Sequence, residues 1–263
     1  MDINNKVAIV TGGSQGIGKG MTETLIRRGA KVVIADVKDG SAVANELNKQ
    51  YGKKVSVYQR CDVSKSSDNQ AAIDRAIAEF GRFDILVNNA GVGGGKLWSD
   101  TDRSDLDKVM LIDLISVMDF SRIAVRYWNS QPAAKSNPED LQAAIVNVAS
   151  NMAFFPAAYG PGYGAAKAGV VHFTATCASL MPRIKVNAVA PNYADTAMFA
   201  QATDSAQETD AEKVARLNGV LTVQEVVDQM IRCIEDPALV GDTIKLIANM
   251  KPLVHKQRKA ARL

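Results

Sequence analysis

The stretch AAYGPGYGAAK, Ala157 to Lys167, holds two tyrosines four residues apart and one lysine four residues after the second. A phenol with an ordinary pKa near ~10 is a weak base at neutral pH unless a fixed cation stabilises its anion. The lysine therefore decides between the two tyrosines. On a helix, Lys167 falls one turn after Tyr163, so an i, i+4 pair sets the ammonium on the same face as that phenol. Tyr159 has Tyr163 at its own i+4 position and no lysine. Gly160, Pro161 and Gly162 interrupt the backbone between them, so the helix is expected to begin near Gly162 with Tyr159 on the preceding loop. Tyr163 is the one suited to exchange a proton.

A second group of residues could hold a phosphate. VTGGSQGIG follows the first apolar run and opens a helical pattern, with glycines at Gly12, Gly16 and Gly18. A glycine turn there lets backbone approach a pyrophosphate, and the helix N-terminus supplies free N–H groups and partial positive charge. Asp36 ends the second strand about 20 residues later, where a carboxylate accepts hydrogen bonds from both ribose hydroxyls of an adenosine and repels a 2′-phosphate. Gln15, before Gly16, and Val37, after Asp36, offer no cation for that phosphate, although Lys38 is close. NAD, rather than NADP, is the expected cofactor.

These groups need a scaffold that brings strand ends together. Short β-branched runs (Val7 to Gly12, Lys31 to Asp36, Lys54 to Val63, Asp84 to Gly91, Ala143 to Ser150, Ile184 to Pro191, Gly241 to Met250) alternate with stretches of helical period. The helical stretches run from about Ile17 to Arg28, Ser41 to Tyr51, Asp68 to Phe80, Ser104 to Asn129, Tyr163 to Met181 and Val223 to Glu235. Most of the strands are apolar on both faces, as strands covered by helices on each side are. The pattern predicts a Rossmann-like, doubly wound parallel α/β sheet of about seven strands with helices on both faces. It spans residues 1–263 as a single domain, with a candidate lid at 192–219 and a basic, solvated tail from about Lys251.

Composition excludes several other classes. With 31 basic against 28 acidic residues, the net charge of +3 leaves no nucleic-acid or membrane-surface footprint. Cys61, Cys177 and Cys233 are widely spaced and accompanied by only two histidines, so neither a disulfide framework nor a metal site is expected. No run reaches the ~18 apolar residues of a membrane span, and Met1 to Asn5 does not read as a secretion signal. A cytoplasmic protein acting on a small molecule is the expectation.

TGGSQGIG, CDV at Cys61 to Val63, NNAG at Asn88 to Gly91, NVAS ending at Ser150, YGAAK from Tyr163 and VAPNYADT from Val189 follow one another at regular intervals. Together they resemble the short-chain dehydrogenase/reductase family from about Lys6 to about Met250. Within it, KVAIVTGGSQGIG, FGRFDILVNNAGV and GDTIKLIANMKPLVHKQ look most like the NAD-dependent hydroxyprostaglandin dehydrogenases and the insect-type alcohol dehydrogenases. The resemblance implies a catalytic Ser150, Tyr163 and Lys167. Ser150, 13 residues before Tyr163, would hydrogen-bond the substrate oxygen. Tyr163, acidified by Lys167 and the nicotinamide, would take the alcohol proton as hydride leaves. Lys167 would also hold the nicotinamide ribose. The cofactor set implied is Gly12, Ser14, Gln15, Gly16, Ile17, Gly18, Asp36, Val37, Asp62, Val63, Asn89, Ala90, Gly91, Tyr163, Lys167, Pro191 and Thr196, with Asp62 and Val63 at the adenine. Asn88 would stabilise the central sheet, and Val189 and Thr196 would meet the nicotinamide carboxamide and phosphate. A homodimer through the helices led by Ser104 and Tyr163, or a homotetramer through the last helix and strand, is implied as well.

Two positions depart from the family pattern. Asn192 stands where glycine usually follows Pro191, and asparagine's tolerance of positive φ is expected to preserve the turn. Asp113 stands in the long helix where the family has the asparagine of a proton relay; it joins the catalytic set here with its charge beside Lys167, so the relay is expected to be altered rather than lost. The loops after strands four, five and six carry Met152, Phe154, Phe155, Met198 and Phe199, which suits an apolar alcohol or ketone. The function expected is NAD-dependent oxidation of a secondary hydroxyl to a ketone. The alternatives are a carbonyl reductase running with NAD(P)H and a non-catalytic NAD-binding sensor or partner protein.

Overall fold

Successive residues of the inner strands turn to opposite faces of one sheet, and both faces are buried. Val7 and Ile9 of β1 (Val7–Thr11) pack into one apolar cluster, and Ala8 and Val10 into another. The computed structural model describes residues 1–94, 97–98, 102–131, 143–158, 160–197, 199–200, 216 and 218–256. Among these, β1 leads to α1 (Gly16–Arg27), β2 (Lys31–Asp36), α2 (Ser41–Tyr51), β3 (Ser56–Arg60), α3 (Ser66–Phe80) and β4 (Ile85–Asn88). A long helix follows, made of α4 (Ser104–Met110), a π-helical turn (Leu111–Ile115) and α5 (Ser116–Ser130). The remainder is β5 (Ala143–Val148), α6 (Pro161–Thr176), β6 (Ile184–Pro191), α7 (Val223–Glu235), β7 (Thr243–Leu246) and β8 (Leu253–His255).

The strand order is β3-β2-β1-β4-β5-β6-β7-β8, with every pair parallel except β7 and β8. Helices α1, α2 and α7 cover one face through Met21, Leu25, Leu47, Val226 and Met230. On the other face α3 and α5 pack through Ile73, Phe120 and Ala124, and α6 joins α5 through Val170 and Val117. The chain order reverses between β1 and β4, and a doubly wound sheet opens its ligand crevice beyond the strand ends at that point.

Three expectations need correction. The third strand stops at Arg60 because the Asp62 N–H donates to Asp68 Oδ2 (3.0 Å) and Ser64 folds back on Asp62 Oδ1, which turns the chain out of the sheet at Cys61. The expected solvated tail from about Lys251 is corrected for part of its length: Leu253–His255 forms an eighth, antiparallel strand on β7, covering backbone groups that an edge strand would leave unpaired. The helix read from Ser104 to Asn129 is continuous but carries the π turn. Most of the candidate lid, 201–215 with 217, lies outside the described residues, as do Tyr159, Met198 and 257–263.

Candidate active site

Backbone fit builds the cofactor side of the crevice. Gly12 and Gly16 sit at φ +62° and +53°, in the left-handed region that side chains rarely adopt. A Cβ on Gly18 would lie 2.1 Å from Gly12 O, so α1 meets the turn where only glycine fits, and one on Gly16 would lie 3.3 Å from Thr196 Cγ2 across the groove. Asn89 fastens this turn to β4: its Nδ2 donates to Thr11 O (2.9 Å) and Gly12 O (3.2 Å), and Thr11 Oγ1 accepts from the N–H groups of Asn89 and Ala90. Ile17 packs on the core, and Gln15 faces solvent.

Asp36 ends β2 beside that turn. Its Oδ2 accepts from Ser14 N (3.1 Å) and from Ser14 Oγ, and its Oδ1 from Lys38 N (3.0 Å). These donors fix the carboxylate while leaving acceptor capacity for hydroxyls. The Lys38 ammonium points elsewhere, donating to Gln15 Oε1 at 2.8 Å. Val37 is 56% exposed next to it, an apolar surface open among the described residues. Asp62 accepts from Ser64 N and Oγ, and the Ser64 hydroxyl holds its carboxyl below the usual range; Val63 is buried.

The catalytic side is built from α6, the end of β5 and the π turn. Pro161 occupies the first turn of α6, where its missing N–H costs nothing. Lys167 is fully buried, with Nζ donating to Val148 O (3.1 Å), paired with Asp113 Oδ1 (3.0 Å) and lying 5.5 Å from the Tyr163 ring centroid. Ser150, just past β5, accepts from Met152 N at 3.2 Å and opens a short 3-10 turn, Asn151–Ala153. That turn packs on the start of α6, where a Cβ on Gly164 would lie 3.3 Å from Met152 O.

Asp113 is completely buried. The π turn aims its carboxylate at Lys167 and at the N–H of Val92, 3.3 Å from both oxygens. Gly91 walls the pair, since a Cβ there would lie 2.7 Å from Asp113 Oδ1 and 3.5 Å from Lys167 Nζ. Burial pushes the Asp113 carboxyl above the usual range while Lys167 pulls against it. Burial also works against the Lys167 ammonium, but the Asp113 carboxylate and then Tyr163 hold it above the usual lysine range. Lys167 stays protonated.

The structure thus brings Ser150, Tyr163, Lys167 and Asp113 to one end of the sheet, with Ala90 and Gly91 between them and the glycine turn. Pro191 ends β6, and the next turn does not use the left-handed region at Asn192; its N–H bonds Leu246 O at 2.8 Å. The expected need for positive φ there is corrected: among the described residues the non-glycine ones with positive φ are Asn5 and Asn249. Phe154 packs against His255 (ring centroids 4.8 Å apart) and under Lys245, and Phe199 against Tyr193, while Phe155 is 53% exposed.

The family profile described as short chain dehydrogenase matches residues 6–207. The chain belongs to the short chain dehydrogenase family. It is 31% identical to rat (Rattus norvegicus) 15-hydroxyprostaglandin dehydrogenase [NAD(+)] over 262 residues, 95% of this chain and 93% of that one. It is 38% identical to cis-4-hydroxycyclohexanecarboxylate dehydrogenase of Sinomonas cyclohexanicum over 198 residues, 74% and 76% of the two chains. Among solved structures it superposes on a 3-ketoacyl-(acyl-carrier-protein) reductase from Brucella melitensis complexed with NADH, with TM-score 0.79, 25% identity and coverage of 94% and 98%. The chain is an oxidoreductase of this family.

For this short chain dehydrogenase the sequence did not point to Val148 O, the Val92 N–H or Gly94, whose Cβ would lie 3.0 Å from Tyr163 Cβ. Backbone partners leave no mark in residue type, although a glycine run such as Gly93 to Gly95 is a signal that could have marked a close approach. Among the described residues no cluster of His, Cys, Asp and Glu could hold a metal, and no helix is long and apolar enough to cross a membrane.

Proposed function

We propose that the protein is an NAD-dependent dehydrogenase that oxidises the secondary hydroxyl of an apolar small molecule to a ketone. The observation that carries this reading is the buried Lys167 beneath the Tyr163 ring, on the helix that packs against the Ser150 turn. The turn Gly12 to Gly18 with Ser14, Gln15 and Ile17 would hold the pyrophosphate. Asp36 and Val37 would take the adenosine ribose and its surroundings, and Asp62 and Val63 the adenine. Ala90, Gly91, Pro191 and Thr196 would line the nicotinamide half, with Asn89 holding the turn. Bound there, NAD supplies the hydride acceptor.

The chain's own residues do the proton chemistry. Ser150 Oγ donates to the substrate oxygen and orients it. Tyr163 removes the hydroxyl proton, because the Lys167 ammonium stabilises its phenolate and a general base positioned this way contributes about 10²–10⁴-fold. Three features support NAD over NADP: Asp36 carries negative charge where a 2′-phosphate would sit, Lys38 is engaged by Gln15, and the rat relative is named for NAD(+). Two relatives named as dehydrogenases of hydroxylated carbon skeletons support the alcohol substrate.

We infer a homo-oligomer as well. Leu111, Ile115 and Met118 form a stripe, each 41–47% exposed, along the helix that packs beside α6.

The test follows the nicotinamide absorbance with NAD or NADP across a panel of apolar secondary alcohols, for the native chain and Tyr163→Phe side by side. NAD reduction by the native chain, falling at least about 10³-fold in the variant while NAD binding persists, is the expected result. Equal turnover in the two proteins would remove Tyr163 from the mechanism. Turnover only of ketones with NADPH would establish the carbonyl reductase instead.

A further inference from the structure

The mechanism above uses a cation to acidify a phenol, yet the structure places an anion against that same cation. Asp113 and Lys167 are both buried and 3.0 Å apart. Three features hold it there. The π turn directs it inward, the Val92 N–H caps it, and Gly91 leaves room for it.

Among the described residues no other charged group is paired with Lys167. On α6 itself the neighbouring titratable group is Tyr163, with His172 exposed about one and a half turns after Lys167. On α4, Asp107 pairs with Arg103 at the surface, and Asp105 and Lys108 are exposed. On α5, Asp119 pairs with Arg122. Lys245 of β7 lies over the rings of Phe154 and Phe155, and Cys177, after α6, is a thiol pushed up to about 11 by burial.

We propose that Asp113 is a positioning residue for the reaction proposed above: its carboxylate pins the Lys167 ammonium between Val148 O and the Tyr163 ring and offsets much of the charge that Lys167 presents to the phenol. It thereby sets the pH range in which Tyr163 works as a base. With Asp113 ionised, Lys167 already has its counter-charge, and a phenolate on Tyr163 gains less from it. With Asp113 made neutral, the Tyr163 phenolate becomes the remaining counter-anion of a buried ammonium. Ionisation of Tyr163 then becomes easier.

The inference rests on the dehydrogenase reading, but its test does not need turnover. Tyrosinate absorbance is titrated in the protein saturated with NAD, for the native chain and Asp113→Asn, each measured against its own Tyr163→Phe partner so that the difference reports Tyr163 alone. The expected result is a fall of about one pH unit in the Tyr163 midpoint for Asp113→Asn, from the removal of a nearby like charge. The low-pH limb of kcat/KM moves the same way.

Asp113→Ser removes the same charge and keeps a hydroxyl that can accept from the Val92 N–H, so it moves the midpoint in the same direction and serves if Asp113→Asn does not fold. A midpoint unmoved or raised in the folded variants overturns the proposal, whatever the activity. Absence of turnover in the native chain with the midpoint shifted as expected would sink the dehydrogenase reading and leave the role of Asp113 standing.

Discussion

Asp36→Ala isolates the basis of cofactor choice. In the native chain three donors, the Ser14 N–H and Oγ and the Lys38 N–H, hold a carboxylate that is only 6% exposed. If both ribose hydroxyls bond it, the variant loses two charge-assisted hydrogen bonds, each about 1.5–3 kcal/mol. Water admitted to the emptied space recovers part of that, leaving a net loss of about 2–3 kcal/mol, or roughly 30- to 150-fold weaker NAD. NADP responds oppositely, because the charge that repels its phosphate is gone while Lys38 remains. The NAD:NADP preference is therefore expected to fall by about 10³.

The same variant strands the Ser14 and Lys38 donors beside a surface turn, so it is expected to lose about 1–2 kcal/mol of stability and to stay folded. Calorimetric titration of both cofactors, with a thermal melt as control, reads all three quantities. NAD affinity within threefold of native in the folded variant would show that the adenosine ribose is not on Asp36, and the argument from this carboxylate would fail.

Gly18→Ala is expected to abolish NAD binding and lower the thermal midpoint, since its Cβ would stand 2.1 Å from Gly12 O; an affinity within threefold of native would refute the packing account. Thr222 and Glu225 form a capping box at the start of α7, so Thr222→Ala is expected to cost about 1 kcal/mol in denaturant melts. Glu225 has its folded carboxyl held below the usual range, first by the Thr222 backbone N–H. Its contribution is therefore present above the unfolded value near ~4 and lost as pH falls through the lower folded value. Glu225→Gln should accordingly destabilise at pH 7 and cost nothing near pH 2, a convergence that paired melts would detect.

The strands and the crevice were legible because their signals are local. VTGGSQGIG before a helical pattern, Asp36 at a strand end and the i, i+4 spacing of Tyr163 and Lys167 each tie a residue type to one backbone geometry. Partners far apart in sequence left weaker marks. Asn88, Asn147 and Thr174 form one buried chain of hydrogen bonds across β4, β5 and α6; the family pattern gave Asn88 a place in the central sheet, but Asn147 only interrupts a run read as apolar and Thr174 carries no signal of its partner. β8 was missed because three residues beside lysines look like solvent-exposed tail, and only the open edge of β7 gives them a partner. The charge of Asp113 beside Lys167 was legible from the family pattern, and the ion pair matches it. The π turn that aims the carboxylate was not, because a helix read at uniform period does not signal it.

That turn also fixes the phase of the helix. Along it one line of buried positions runs Val109, Asp113, Val117, Phe120, Ala124 and Trp128, flanked by Ser116, Ser121 and Ile123, with a mean spacing of about 3.8 residues, wider than the 3.6 of a regular helix. The π turn absorbs the lag, so one stripe faces the sheet from end to end and Asp113 falls in line with the apolar residues around it. The span thus carries one residue more than a regular helix would need. Deleting a single residue between Leu111 and Ile115 would bring the mean spacing to about 3.6 and let the backbone relax to an unbroken α-helix with the stripe still facing the sheet. The loss would fall on the ion pair instead: without the π turn the Asp113 carboxylate would no longer be aimed at Lys167, so the irregular backbone here serves the placement of a charge and not the packing of the helix.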